Sequence, residues 1–201
     1  MTIAGVILAG GEGTRMGGLV AKPLTPLGKS TLIERIIPQM QGQVSPLLIN
    51  AALHNGFERL GLPVVPDMLT GHHGPLAGLS AAAAHLERNF PRITHLLSVA
   101  GDTPFLPIDY VSRMCARSGT AVNMASSNGR AHPTAALWPM ALLSQLEKYL
   151  SQPDAKLQVM AFARRTTIHM VEFQPFADLD PFFNVNTPDD LRNAQRFLPD
   201  E

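Results

Sequence analysis

The chain has 201 residues, 45% of them hydrophobic and 16% charged, which is enough for one sizeable core and predicts a single domain over residues 1–201. Sixteen basic residues balance sixteen acidic ones, so no net field favours nucleic acid or an anionic membrane, and any bound anion must be held by local geometry. One cysteine, Cys115, excludes an internal disulfide framework. With no basic segment ahead of a long apolar stretch at the N-terminus, and no apolar run of the roughly 18 residues a membrane span requires, the expectation is a soluble, cytoplasmic chain.

Short apolar runs bounded by Gly, Pro, Asp or Asn lie at Ile3–Ala9, Pro46–Ile49, Pro63–Val65, His95–Ala100 and Thr120–Ala125, as buried strands of a parallel sheet read. Helical spacing lies between them. Leu32, Ile33, Ile36, Ile37 and Met40 follow the capping residues Ser30 and Thr31, and Leu76, Leu79, Ala83 and Leu86 follow Gly74-Pro75. A third helix is expected over Tyr110–Arg117. This alternation predicts an α/β fold: a doubly wound, mostly parallel open sheet with helices on both faces, Rossmann-like. Beyond about Arg130 the rhythm changes to a strand at Ala131–Trp138, helices at Met140–Leu150 and Lys156–Ala163, and a strand at Thr166–Phe173. Thr187, with Pro188 next and Asp190 three residues on, reads as the cap of a last helix carrying Leu191, Ala194 and Leu198 inward.

The first strand runs into the glycine loop Gly10–Gly18. Ligands of open α/β sheets sit beyond the carboxyl ends of the strands, and backbone N–H groups around such a concavity, here from Gly10 and Gly11 onward, suit a phosphate. Arg15 would add a bidentate fork and Lys22 a compact charge; a tight reversal is the plainer reading of the glycines. Two better-known phosphate loops do not fit. The dinucleotide pattern G-x-G-x-x-G meets Met16 at its third glycine, and the P-loop pattern ending at Gly28-Lys29-Ser30 meets Pro23 at its first.

Asp102, in LLSVAGDTPFL, closes a buried strand across the sheet from that loop. It could carry Mg²⁺ together with substrate phosphates, or cap its own turn. Asp67 or Asn50, each following a short strand, could read a base, since a carboxylate accepts the two adjacent donors of guanine; a solvated loop acid is the simpler reading of Asp67. Asn184 and Asn186 could offer neutral oxygens to a metal-bound phosphate, or serve as turn residues. Zinc spacing and a serine-hydrolase elbow are both missing from the sequence.

Taken together, LAGGEGTRMGG…AKPL, VVPD, GPLAGL, GDTPFLP, HPTAALW, QVMAFARR and FFNVNTPDDL resemble the molybdenum cofactor guanylyltransferases over about residues 3–197. The first loop and GDTP are shared by a wider nucleotidyltransferase group; HPTAAL, QVMAFAR and NVNTPDDL are the more specific stretches. The resemblance implies transfer of GMP from GTP to molybdenum-loaded molybdopterin with release of pyrophosphate. It further implies GTP binding by Leu8, Ala9, Gly10, Lys22, Asn50, Asp67 and Asp102, with Mg²⁺ on Asp102, and places Asn184 and Asn186 near the phosphates. Transient contact with proteins that deliver molybdopterin or accept the product is also implied. Many relatives carry Asp before the lysine, where this chain has Ala21. The GEGTR and K-P-L stretches are shared with sugar-1-phosphate nucleotidyltransferases, and a molybdopterin cytidylyltransferase would differ mainly in base. A non-catalytic nucleotide-binding regulator is the alternative of another class. Arg130, His132, Arg164 and Arg165 are candidate contacts for the pterin phosphate.

Overall fold

A computed structural model describes residues 1–10, 21–68, 74–117, 119–176 and 178–198. Its main sheet has seven strands: β1 (Ile3–Leu8), β4 (Leu47–Asn50), β5 (Val64–Val65), β6 (His95–Ala100), β7 (Val122–Ser127), β8 (Arg130–Pro139) and β9 (Ile168–Glu172), in the order β5-β4-β1-β6-β8-β7-β9. The pairs β5–β4, β4–β1, β1–β6 and β7–β9 are parallel. β8 runs antiparallel to both β6 and β7, so it is the one strand set against the rest of the sheet. The expected Rossmann-like class therefore holds, with a mixed, mostly parallel sheet.

The alternation of side chains along β1 explains the two layers of core. Ala4, Val6 and Leu8 point to one face, where they meet α2 (Pro75–Asn89), α4 (Met140–Leu143), α5 (Leu146–Leu150) and α6 (Val159–Ala163). Ile7 and Ala9 point to the other, against α1 (Leu32–Met40) and α3 (Tyr110–Met114). A third, smaller cluster joins Leu27, Leu32, Val185 and Ala194, and so docks α7 (Pro188–Gln195) near the start of α1.

Both expected helix starts are built as capping boxes. Thr31 accepts from the Glu34 N–H while Glu34 returns to the Thr31 N–H; Thr187 and Asp190 do the same for α7. Strand ends shift by one or two residues, and three helices differ from expectation. The helix expected at 140–150 breaks in two because Ser144 Oγ (3.1 Å) and Gln145 Nε2 (3.0 Å) both bond the Ala141 carbonyl, which a continuous helix would use for itself. The helix expected from Lys156 starts only at Val159, since the Tyr149 hydroxyl brackets the Lys156 backbone, accepting from its N–H and donating to its carbonyl. α3 stops at Met114, whose carbonyl, with that of Arg117, accepts from the Asn123 side chain at 2.7 Å.

Gly28-Lys29, rejected as part of a P-loop, turns a small hairpin between β2 (Pro26–Leu27) and β3 (Ser30–Thr31), with Gly28 at φ +63°. The sequence pattern had not shown these two-residue strands. Among the described residues, no helix is long and apolar enough to cross a membrane.

Candidate functional site

Because β1, β4, β5 and β6 are parallel, their carboxyl ends share one edge of the sheet. That register sets Leu8 beside both Asn50 and Ala100. Two groups of polar side chains gather along this edge, one after β6 and one after β4 and β5.

In the first group, Asp102 lies two residues past β6. Its Oδ2 pairs with the Lys22 ammonium, and its Oδ1 accepts from Asn184 Nδ2 at 2.6 Å. Lys22 Nζ also donates to Asn186 Oδ1 at 2.6 Å. The carboxylate thus engages side chains 80 and 82 residues away. Both partners of the ion pair are less than one-fifth exposed, which strengthens their attraction relative to a surface pair. Lys22 opens a short 3-10 turn, Lys22–Leu24, with Pro23 fixing its backbone. Ala21 packs against the core below, and the lysine takes its orientation from Asp102 and Asn186.

Asn184 and Asn186 flank Val185, and both side chains reach this group. The two asparagines share one side, while Val185 between them is fully buried and donates its N–H to the Asp102 carbonyl at 3.0 Å. The buried Thr103 hydroxyl is a second acceptor for Asn184 Nδ2, at 3.3 Å. Burial raises the Asp190 carboxyl, but bonds from Thr187 and the Asn186 backbone, with the Lys22 charge, outweigh it and leave the group below its ordinary range.

The second group pairs Asn50, buried at the end of β4, with Asp67. Asn50 Nδ2 donates to Asp67 Oδ1 at 2.8 Å and to the Val65 carbonyl at 3.1 Å, so both amide hydrogens are occupied. The amide oxygen faces Gly10 and Gly78. A Cβ at Gly78 would lie 2.1 Å from Asn50 Oδ1, and one at Gly10 would lie 3.3 Å from it and 3.8 Å from Asp67 Oδ2. The two glycines leave room for a pair of acceptors, Asn50 Oδ1 and Asp67 Oδ2, beside the last residue of the first strand's exit. Gly78 sits in the first turns of α2, which begins at Pro75 after Gly74 in a positive-φ conformation.

The structure therefore brings Leu8, Ala9, Gly10, Lys22, Asn50, Asp67, Asp102, Asn184 and Asn186 to one edge, in two sets. Gly11 and Arg15 lie outside the described residues. Gly78, within GPLAGL, and Thr103, within GDTPFLP, carry no signal of their own in the sequence; only the approach of Asn50 and Asn184 marks them. Of the four residues considered for the pterin phosphate, Arg130 and Arg164 are exposed and Arg165 lies over the Tyr149 ring at 5.3 Å. His132 is buried and its Nε2 meets the Ser127 hydroxyl at 2.7 Å, so that nitrogen is engaged within the protein.

Residues 5–167 match the family described as the MobA-like NTP transferase domain. The chain is 41% identical to a molybdenum cofactor guanylyltransferase of Mesorhizobium japonicum, over 98% of this chain and 96% of that one. It is 42% identical to one from Rhizobium meliloti, over 96% and 91%. Among solved structures, molybdopterin-guanine dinucleotide biosynthesis protein A from Archaeoglobus fulgidus superposes with a TM-score of 0.71 at 23% identity, covering 97% of each chain. Fold and sequence together define a nucleotidyltransferase. More narrowly, the chain belongs to the molybdenum cofactor guanylyltransferase family.

Proposed function

We propose that this chain, acting as one domain, transfers GMP from GTP to molybdenum-loaded molybdopterin, forming the guanine dinucleotide cofactor and releasing pyrophosphate. The observation that carries the reading is the pairing of two sets on one sheet edge: a cation–carboxylate–amide group suited to phosphates, and two adjacent acceptors suited to a base.

Guanine presents two neighbouring donors, its N1–H and its exocyclic amine. Asp67 Oδ2 and Asn50 Oδ1 would accept both. Adenine and cytosine each offer one donor beside an acceptor, which would leave an acceptor facing an acceptor, and a buried mismatch of that kind is costly. Leu8, Ala9 and Gly10 would line the path from base to phosphates, with Gly11 among the GTP-binding residues.

The reaction joins an oxygen of the pterin's terminal phosphate to the α-phosphorus of GTP as the bond to pyrophosphate breaks. An ionised phosphate needs no proton removed before it attacks, so the mechanism calls for alignment and charge neutralisation rather than a protein nucleophile or base. Lys22 would hold phosphate oxygens with the ammonium that now bonds Asp102 and Asn186. Asn184 and Asn186, once released from these contacts, would orient phosphates or their waters, and Arg15 would neutralise charge on the leaving group.

No group of three or more His, Cys, Asp or Glu side chains suited to a metal occurs among the described residues. One carboxylate completed by substrate phosphates and water is nevertheless a donor set that fits Mg²⁺, and Asp102 with its amide neighbours supplies it. When bound there, Mg²⁺ would withdraw charge from the triphosphate. The substrates are small molecules, and contact with proteins that supply the pterin or receive the product would be transient.

The test is pyrophosphate release by the purified chain with Mg²⁺, metal-loaded pterin and each nucleotide in turn. GTP alone should support turnover. Turnover with CTP in its place would make the protein a cytidylyltransferase, turnover with a sugar phosphate as acceptor would reassign the second substrate, and GTP binding with no turnover would make it a regulator.

A further inference from the structure

The HPTAALW stretch and the residues facing it have no part in the chemistry above, yet they form a connected buried cluster. β7 and β8 are joined by a tight turn at Asn128-Gly129, both at positive φ (50° and 72°). Because β8 is antiparallel to β6 and its last pair with it is Ser98–Ala136, His132 lies beyond that pair, toward the edge that carries Asp102. Ser127 is completely buried, and its hydroxyl donates to Asp180 Oδ1 at 2.7 Å. A serine has one hydroxyl hydrogen, so the 2.7 Å contact with His132 Nε2 must have the histidine N–H donating to Ser127 Oγ. Asp180 Oδ1 also accepts the Phe182 N–H at 2.8 Å, and the Phe182 ring stacks on His132 at 4.6 Å between centroids.

A Ser, His and Asp in contact invite comparison with a nucleophilic triad, but the polarity is reversed. A triad needs histidine to take the serine proton; here that proton points at the carboxylate and the histidine is the donor. With the hydroxyl sealed from solvent, the cluster has no substrate to attack. Its effect is mechanical. Asp180 fixes the chain at residues 180–182, Val185 is fixed to the Asp102 carbonyl, and Asn184 and Asn186 are held between and just after these two anchors.

We infer that Ser127, His132 and Asp180 are positioning residues, a hydrogen-bonded relay that sets the 180–186 segment so that Asn184 and Asn186 meet Asp102 and Lys22. This rests on the nucleotidyltransferase reading for its effect on turnover, and on the fold alone for its effect on the segment. The geometry sets an order of effects: loss of Asp180 frees Phe182 and Ser127 together, whereas loss of the Ser127 hydroxyl cuts Asp180 from His132 but leaves the Phe182 N–H on Asp180.

The test compares full-length wild type with D180A, D180N and S127A by amide hydrogen exchange in the protein without ligand, by melting, and by kcat and KM for GTP. In D180A, exchange at the Val185 amide should quicken about tenfold or more while the β1 and β6 amides stay as in wild type. Its kcat per folded molecule should fall about tenfold, with KM for GTP changed by less than about threefold. D180N keeps an oxygen that accepts both bonds and should restore exchange and kcat; S127A should lie between D180A and wild type. If D180A does not fold, the same exchange comparison on S127A decides. Wild-type exchange at Val185 in the folded variant, or a D180N as impaired as D180A, would overturn the relay. A wild type that exchanges as expected but releases no pyrophosphate from GTP would instead sink the proposed function and leave the relay standing.

Discussion

Lys22 and Asp102, 80 residues apart in the chain, form an ion pair in which each side chain keeps less than one-fifth of its exposure, and the same ammonium holds Asn186. The Lys22 ammonium thus bonds the carboxylate on which the proposed function sets Mg²⁺.

That arrangement predicts competition. Without nucleotide, Lys22 should keep a divalent ion off Asp102; with GTP, the phosphates give the lysine another partner. K22A should therefore bind Mn²⁺ about tenfold more tightly than wild type when nucleotide is absent, as read by electron paramagnetic resonance titration, because the half-buried carboxylate is left uncompensated. The same variant should lose about a hundredfold or more in kcat/KM. Equal Mn²⁺ affinity in the two proteins would show that the lysine does not guard the carboxylate.

Base choice should rest on the pair at the end of β4. Asp67→Asn places an amide where a carboxylate oxygen faced Gly10, and should lower kcat/KM for GTP by about tenfold to a hundredfold while the melting temperature stays near wild type, Asp67 being exposed. Gly78→Ala acts on the other member by driving a Cβ into the Asn50 amide, and should weaken GTP binding together with a stability loss of about 1–3 kcal/mol. Unchanged discrimination among the four nucleotides in both variants would take the base away from this pair.

His132 supplies a pH dependence. Burial holds its pKa below the ordinary 6.5, aided by the Arg130 charge and opposed by Asp180 and Glu172. The folded protein then binds the proton less readily than the unfolded chain, so stability from this group is complete above pH ~6.5 and is lost as the pH falls from there toward the lowered folded value. H132Q should melt with a flatter profile than wild type across that interval. Parallel profiles would show that the histidine titrates alike in both states.

At the last helix, Thr187→Ala removes the side-chain acceptor for the Asp190 N–H and should cost about 1 kcal/mol in chemical denaturation. Since Asp190 also accepts the Asn186 N–H, kcat should fall in the same variant by a few-fold. A loss of stability with no change in kcat would separate the cap from the segment before it.

The helix starts at Thr31 and Thr187 were legible because a cap and the helical pattern after it are local signals, and β6 was legible to the residue because Thr94 and Gly101 bracket a mainly apolar run. The direction of β8 was not: its inner half is buried on both faces, so its residues look the same whichever way it pairs. Nor was the break at Ser144-Gln145, which depends on two side chains converging on one carbonyl. At the edge of the sheet, Asp102, Lys22, Asn184 and Asn186 could be named one at a time from strand ends and turn chemistry, but their meeting is a tertiary contact across most of the chain. Asn50 and Asp67 stood as alternatives in sequence; in the fold they are hydrogen-bonded partners. Ser127, His132 and Asp180 share no spacing that would have joined them.

The most direct measurement is a structure of the chain with GTP and Mg²⁺ bound. The account predicts the triphosphate against Lys22, Asp102, Asn184 and Asn186, with the guanine edge on Asp67 and Asn50. A nucleotide seated away from this edge, or bound here with its base turned from Asp67 toward solvent, would contradict it.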